Sequence, residues 1–172
     1  NLVENSAQGT VVGTLSGTDP DSGDSLNYAI TGGTGAAFFE INASNEVVVK
    51  TGAVVDFETL PAPTLTIRTT DAGSLTYDET FTLSVTGVNE APTSVSLSAN
   101  SVAENSSAGT VLGNLTAVDP EGDTTSLSLV GGTGASNFDI DNNQLVVKTG
   151  ANINFENDPA PTVIIRATDN SG

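Results

Sequence analysis

Short runs of apolar residues, alternating with polar ones, recur along the chain and predict β-strands. The runs TVVGTL, LNYAI, EVVVKT, TLTIRTT and TFTLSVTG are rich in Val, Ile, Thr and aromatic residues, which suit a pleated and half-buried surface. Turns containing Gly, Pro, Asp and Asn separate these runs at intervals of about ten residues, as in β-sandwiches. No stretch combines a sustained helical period with helix caps. We therefore predict an all-β fold.

The strand pattern occurs twice. Position 3 aligns with position 103, an offset of 100 residues, which indicates tandem domains rather than a solenoid of short repeats. We predict two tandem β-sandwich domains, residues 1–91 and residues 92–172. The matched segments are 3–24 with 103–123, 32–41 with 131–140, and 47–71 with 145–169.

The two copies differ in their flanking strands. The second copy has an extra leading strand over 92–102, where the first keeps only Asn-Leu-Val. The first copy has a final long strand over 75–88, which has no counterpart after Gly172. We therefore expect the second domain to lack its last strand and to present an unpaired sheet edge. Either the sequence was cut there or another chain supplies the strand.

Charge limits the partners of the chain. Its 172 residues include 21 acidic and 4 basic side chains, which gives a net charge of −17. Such self-repulsion opposes a compact state unless something neutralises it, and it makes nucleic acid and anionic membrane surfaces unfavourable partners. No apolar run approaches the roughly 20 residues of a transmembrane helix, so we expect no membrane insertion in this segment.

Two missing residue types narrow the chemistry further. The chain has no Cys and no His, which excludes thiolate nucleophiles, cysteine zinc sites and Ser-His-Asp or Cys-His catalysis within it. We predict that the chain is not an enzyme. Only oxygen ligands remain for a metal, and oxygen ligands suit Ca²⁺ or Mg²⁺.

Acidic side chains concentrate at predicted strand ends, often in pairs one residue apart. Asp56 and Glu58 flank Phe57. If this segment is extended, both carboxylates share one face and Phe57 points into the core. Asn154 and Glu156 repeat the arrangement around Phe155, which we expect to be the equivalent core anchor. A solvated loop explains most isolated pairs of this kind, whereas several pairs brought together from separate segments would satisfy Ca²⁺.

Five acidic motifs follow one another in a fixed order. They read Glu-Asn, Asp-x-Asp, Asp-x-Glu, Thr-Asp-x-Gly and a linker ending in Asn-Glu-Ala-Pro. The second copy repeats the first four in the same order, with Glu121 and Asn154 each in place of an Asp. With these motifs the sequence resembles cadherin repeats over its whole length, specifically the bacterial cadherin-like kind. The resemblance implies Greek-key β-sandwich domains of the cadherin or immunoglobulin-like type, with Ca²⁺ bound between successive repeats.

The resemblance also implies which residues bind the metal. The site between the repeats would take its ligands from the base of repeat 1, the linker and the top of repeat 2: Glu4, Asp56, Glu58, Asn89, Glu90, Asp119, Glu121 and Asp169. Two terminal half-sites would use Asp19, Asp21 and Asp71 at the top of repeat 1, and Glu104, Asn154 and Glu156 at the base of repeat 2. Gly87 stands where the animal-type linker has Asp, and that linker is one residue longer. Fewer carboxylates indicate fewer ions or weaker binding than a full set.

These observations predict a calcium-binding adhesion or structural module of a large surface or secreted protein, such as a bacterial adhesin or a biofilm component. Its location would be extracellular or at the cell surface. Its partners would be neighbouring repeats of the same chain, with a polysaccharide or another surface protein as a further partner. The alternative is a Ca²⁺-dependent carbohydrate-binding module, although the few aromatic residues, Tyr28 and Tyr77 among them, are expected to lie mostly in the core. A third possibility is homotypic association through the open edge of the second domain.

Overall fold

The computed structural model of the protein describes residues 2–21 and 23–169. The chain divides into two compact units, with unit 1 ending at Val88 and unit 2 beginning at Asn89. Unit 1 contains strands β1 (Leu2–Val3), β2 (Val11–Thr14), β3 (Asn27–Gly32), β4 (Phe39–Ile41), β5 (Glu46–Val49), β6 (Thr64–Thr70), β7 (Thr76–Thr82) and β8 (Val85–Thr86). Unit 2 contains β9 (Ser94–Leu97), β10 (Val111–Val118), β11 (Ser126–Gly131), a 3₁₀ turn (Ala135–Asn137), β12 (Phe138–Asp141), β13 (Gln144–Val147) and β14 (Ile164–Thr168).

Unit 1 is a Greek-key sandwich of two antiparallel sheets. One sheet has the order β2-β5-β4 and the other β3-β6-β7, while β1 and β8 form a short parallel pair. Each sheet joins a pair of consecutive strands, β4 with β5 or β6 with β7, to a strand from earlier in the chain, β2 or β3, and such non-local pairings are typical of Greek-key connections. The alternation along β6 buries Leu65 and Ile67, which join Phe39, Val49 and Val55 in the core.

Unit 2 repeats this architecture with a different set of outer strands. Its sheets have the orders β12-β13-β10-β9 and β11-β14. The core contains Leu115, Phe138, Leu145 and Val147. Within residues 89–169 no strand pairs with the second edge of β14, as the sequence predicted for a domain without its last strand.

The strand over TLTIRTT is confirmed at Thr64–Thr70, but two other predictions need correction. The single long strand expected over 75–88 is two strands, because β7 pairs with β6 whereas β8 pairs with β1. The chain changes partners at Leu83 and Ser84. The leading strand expected over 92–102 covers only Ser94–Leu97, the stretch that pairs with β10.

Among the described residues, no helix has the length and apolar character needed to cross a bilayer.

Candidate metal centre

Glu4 is the most enclosed carboxylate of unit 1. It follows β1 directly and its residue is only 3% exposed. One carboxylate oxygen accepts the backbone N–H of Val88 and the other accepts that of Phe57 at 2.8 Å. These two bonds hold the pKa of Glu4 below its usual value, and the bond from Val88 has the larger effect. They do so because they stabilise the ionised form. Two separate segments of unit 1 thus keep an anion at its base.

The Asp56–Glu58 segment is a turn, so the prediction of an extended strand is wrong. The Asp56 Oδ1 atom accepts the backbone N–H groups of Glu58 at 2.9 Å and of Thr59 at 3.3 Å. The backbone N–H of Leu60 closes the turn on the Asp56 carbonyl at 2.9 Å. Asp side chains favour such turns because they satisfy backbone donors locally. Asp56 and Glu58 therefore stand beside Glu4 through turn geometry rather than through strand alternation.

Phe57 and Phe155 have different environments, which corrects the expectation that both are core anchors. Phe57 is half-buried and packs against the core of unit 1. Phe155 is 62% exposed. The turn itself is retained in unit 2, where the Asn154 Oδ1 atom accepts the N–H of Asn157 at 3.1 Å. The amide of Asn154 thus fulfils the structural role of Asp56 without its charge.

Strand ends in unit 2 bring the second group of predicted ligands together. Asp119 directly follows β10, Asp169 directly follows β14, and both are buried. The Asn89 side-chain amide donates to the Asp169 Oδ2 atom at 2.7 Å. The Glu90 backbone N–H donates to the Glu121 Oε1 atom at 3.1 Å. The linker residues Asn89 and Glu90 thus each contact an acidic residue of this end of the repeat.

This end of unit 2 contains carboxylate oxygens that the protein itself does not satisfy. Within the described chain, the Oδ2 atom of Asp119 and the Oε2 atom of Glu121 are buried without a hydrogen-bond partner. Burial raises the pKa of Glu121, and the neighbouring Asp119 carboxylate raises it further. An unpaired buried anion is costly, and a hard cation with oxygen ligands removes that cost. The residues present therefore fit Ca²⁺.

The terminal half-site at the top of unit 1 is also brought together in part. Asp19 and Asp21 lie close, since the Asp21 N–H donates to the Asp19 Oδ1 atom at 2.8 Å. Asp71 directly follows β6 and accepts the N–H of Leu75 at 2.8 Å. Asp24, which the sequence reasoning missed, places a carboxylate oxygen within 4.8 Å of oxygens from Asp19 and Asp21. Its recurrence at the aligned position Asp123 was the signal that could have identified it.

The base of unit 2 is less enclosed than the base of unit 1. Glu104 and Glu156 are both exposed, and Asn154 is half-buried. The backbone is the same in both units, because the N–H of Asn105 reaches Ile153 O at 2.9 Å as the N–H of Asn5 reaches Val55 O at 2.9 Å. Unit 2 thus keeps the backbone hydrogen bond of this half-site, whereas its carboxylates are exposed to solvent.

Strand order and acidic strand ends define the chain as tandem Greek-key sandwich repeats with oxygen-rich ends. A model of the family described as "Cadherin domain" matches residues 1–86, which is half of the chain. The chain belongs to the cadherin domain family. Cadherin domains are extracellular adhesion modules that bind calcium, and the relatives found here are cadherins and protocadherins.

Relatives and solved structures cover most of this chain. Protocadherin-16 of Homo sapiens is 30% identical over 173 residues, which cover 94% of this chain and 5% of that protein. Protocadherin Fat 2 of Mus musculus is 32% identical over 159 residues, which cover 88% of this chain and 4% of that protein. The structure of human protocadherin-24 EC1-2 matches with a TM-score of 0.66 at 22% identity, covering 98% of this chain and 81% of that one. The structure of mouse cadherin-23 EC22-24 matches with a TM-score of 0.60 at 22% identity, covering 99% of this chain and 56% of that one. This chain thus spans only about one twentieth of its curated relatives, and the structural matches support the fold alone.

Proposed function

We propose that this chain is a calcium-binding structural and adhesion module of a larger surface or secreted protein, and that Ca²⁺ stiffens the junction between its two repeats. The observation that carries the proposal is the pair of buried, unpartnered oxygens on Asp119 and Glu121. In a chain with a net charge of −17, enclosed carboxylates without a counter-ion favour a divalent cation.

Both units would supply ligands. Unit 1 would contribute Glu4, Asp56 and Glu58 from its base, and unit 2 would contribute the cluster at its top with Asn89, Glu90 and Asp169. The bonds from Phe57 and Val88 fix the Glu4 carboxylate while leaving lone pairs on its oxygens for a cation. When bound, Ca²⁺ would neutralise charges that otherwise repel one another, and a flexible joint between the repeats would become a stiff one.

The expected affinity follows from the ligand chemistry. Extracellular Ca²⁺ modules bind with dissociation constants on the order of 0.1–1 mM. Binding to the folded state alone stabilises it by about 2.7 kcal/mol when the free ion is at a hundredfold excess over the dissociation constant. Calcium should therefore raise the Tm, and removal with a chelator should lower it again.

Calorimetric titration of the full chain with Ca²⁺, combined with thermal unfolding, tests the proposal. A variant carrying Asp119→Asn and Glu121→Gln should lose about tenfold or more in affinity, because it removes both unpartnered anions. The matched control carries Asp19→Asn and Asp21→Asn at the aligned positions of unit 1, and it should retain binding at the junction. Small-angle scattering with and without Ca²⁺ should show a narrower range of shapes for the calcium form. Absence of binding at millimolar Ca²⁺, together with an unchanged Tm, would refute the proposal.

A further inference from the structure

The motif Gly-Gly-Thr-Gly occurs in both units, at residues 32–35 and 131–134, and it supplies none of the predicted metal ligands. A glycine-rich loop can bind phosphate when its N–H groups point at the anion. In unit 1 two of these groups already have partners within the protein. The N–H of Thr34 donates to the Thr64 Oγ1 atom at 3.1 Å, and the N–H of Gly35 donates to the Thr64 carbonyl at 2.9 Å. The motif therefore binds another segment of its own chain.

The contact is reciprocal, because Thr34 and Thr64 each accept a hydrogen bond from the backbone of the other. The N–H of Thr64 donates to the Thr34 Oγ1 atom at 2.9 Å, and the two hydroxyl oxygens lie 3.3 Å apart. A backbone donor left without a partner at such a crossing would be costly. We call this pair of threonines, together with Gly35, the threonine clamp.

Glycines allow the two segments of the clamp to lie in direct backbone contact. A Cβ atom on Gly33 would collide with the carbonyl oxygen of Thr64, and the φ angle of Gly33 is +103°, which side chains other than glycine rarely adopt. A Cβ atom on Gly35 would lie 3.0 Å from the Cβ atom of Pro63, which is fully buried. The loop thus holds residues 63–64 by close packing as well as by hydrogen bonds.

Unit 2 contains the same clamp. The N–H of Thr133 donates to the Thr162 Oγ1 atom at 3.1 Å, and the N–H of Thr162 donates to the Thr133 Oγ1 atom at 3.0 Å. The N–H of Gly134 donates to the Thr162 carbonyl at 2.9 Å. The clamp is therefore present in both units, although Glu4 is buried and the aligned Glu104 is exposed. It offers a matched control for any substitution in unit 1.

In unit 1 the segment that ends in the clamp begins with predicted calcium ligands. The N–H of Leu60 closes the turn that contains Asp56 and Glu58, at 2.9 Å from the Asp56 carbonyl. Residues 61–63, with the sequence Pro-Ala-Pro, then lead directly to Thr64. Proline fixes its own φ angle and restricts the residue before it, so this connection is short and stiff. A displacement of Thr64 is therefore transmitted to the turn.

Strand β8 binds the same connection. The N–H of Leu83 donates to the Pro63 carbonyl at 2.8 Å, and the N–H of Val85 donates to the Pro61 carbonyl at 3.1 Å. Beyond β8, Val88 donates its N–H to the carboxylate of Glu4. The Pro-Ala-Pro connection thus lies between the clamp and the segment that holds Glu4, and it ties the acidic turn to both.

We propose that Thr34 is a positioning residue for the calcium ligands of unit 1, because the threonine clamp holds Asp56 and Glu58 in place before the ion binds. Thr34 itself does not contact the metal and acts through Thr64 and the Pro-Ala-Pro connection. Ligands that are held in advance lose less freedom on binding, which raises the affinity. The inference rests on the proposed calcium function, whereas the clamp is a feature of the fold.

Calorimetric titration of the full chain with Ca²⁺ tests the proposal by comparing Thr34→Val with Thr133→Val. Each substitution removes one clamp hydroxyl and no acidic group, so each should lower the Tm of its unit in chelator by about 5 °C. Only Thr34→Val should also weaken Ca²⁺ binding at the proposed junction site, by about threefold to tenfold. Thr34→Ser keeps the hydroxyl and should restore the affinity. Equal losses of affinity in the two Val variants, or none in Thr34→Val, would overturn the proposal.

Amide hydrogen exchange in chelator examines the clamp without calcium. Thr34→Val should speed the exchange of the Leu60 N–H by about tenfold, and Thr34→Ser should not. A lower Tm with unchanged exchange at Leu60 would contradict the proposal, because the clamp would then stabilise the unit without reaching the turn. If the original chain binds no Ca²⁺, the calcium function fails first. If it binds Ca²⁺ and Thr34→Val changes neither affinity nor exchange, this inference alone fails.

Discussion

Phe57 and Phe155 occupy the same position in two copies of one repeat, yet only Phe57 is packed. The ring of Phe57 lies against Gly87, where a Cβ atom would approach the Cδ1 atom to 2.9 Å. Gly87 follows β8, a strand that has no counterpart within the described residues of unit 2. The burial of this aromatic residue therefore depends on the strand beside it rather than on its own motif.

The same segment organises the acidic residue at the base of unit 1. Val88 donates its N–H to Glu4, whereas the aligned Glu104 of unit 2 is exposed. A carboxylate in the same motif is thus held in one repeat and left in solvent in the other. Two identical short motifs can therefore differ in their capacity to bind a cation, because a distant segment supplies the donors.

At the other side of the sandwich, unit 2 is the more completely buried of the two units. Unit 2 has β9, which buries Leu115, whereas Leu15 and the exposed face of β7 in unit 1 lack that cover within the described residues. Among the described residues, each unit therefore has a different outer strand. Substitutions at aligned positions of the two units should separate the contribution of the outer strand from that of the repeat itself.

The largest effect is expected at the leucine pair. Leu115→Ala should destabilise unit 2 by about 3 kcal/mol, because it leaves a cavity beneath β9. Leu15→Ala, the matched substitution, should cost unit 1 only about 1 kcal/mol, because its side chain is already partly in water. Denaturant unfolding, with amide exchange to assign the change to a unit, measures both. Equal losses would mean that β9 does not determine the burial of this position.

An intermediate effect is expected at the phenylalanine pair. Phe57→Ala should destabilise unit 1 by about 1.5 kcal/mol through lost contact with the core and with Gly87. Phe155→Ala should change the stability of unit 2 by less than about 0.5 kcal/mol, as exposed substitutions usually do. Thermal unfolding of the two single variants is the measurement. A cost at Phe155 as large as that at Phe57 would show that this aromatic is packed in solution.

Much of the architecture was predictable from the sequence because the repeat and the two-residue alternation are local signals. The strand over Thr64–Thr70 and the acids directly after strands, Asp71, Asp119 and Asp169, were anticipated in this way. The order of the acidic motifs carried the family resemblance, and the resemblance in turn supplied the Greek-key topology. The bacterial subtype, the domain boundary at residue 91 and the calcium ligands remain predictions.

What the sequence could not provide depended on contacts between distant segments. The segment Asp56–Glu58 was predicted to be extended, whereas it is a turn closed by a side chain that accepts backbone N–H groups. The alternation of apolar and polar residues carries no information about such hydrogen bonds. Phe155 looked like a core residue because the missing neighbour lies some 30 residues away in the aligned copy, at Gly87. Tyr77 was expected in the core but is exposed, because its burial depends on packing between segments, which no local pattern encodes.

The smallest effect concerns the arginine pair on the outer face. Arg68 donates two hydrogen bonds to Asp78 of β7, at 2.8 and 2.7 Å. These bonds hold the pKa of Asp78 below its usual value of 3.8. Because the folded-state pKa is depressed, the stabilisation is complete above pH 3.8 and is lost as the pH falls through the folded-state pKa.

Arg68→Gln should therefore lower the Tm slightly at pH 7, by less than Leu115→Ala or Phe57→Ala does. The difference in Tm between the variant and the original chain should vanish in acid. Both partners are about half exposed, so salt at about 1 M should also reduce the difference. Arg166→Gln is the matched control, because within the described residues no strand pairs with the second edge of β14, where β7 provides Asp78 beside β6 in unit 1. Melting curves across pH 2–7 measure the effect. A pH-dependent loss for Arg166→Gln as large as that for Arg68→Gln would mean that the pairing with β7 does not set the difference between the two repeats.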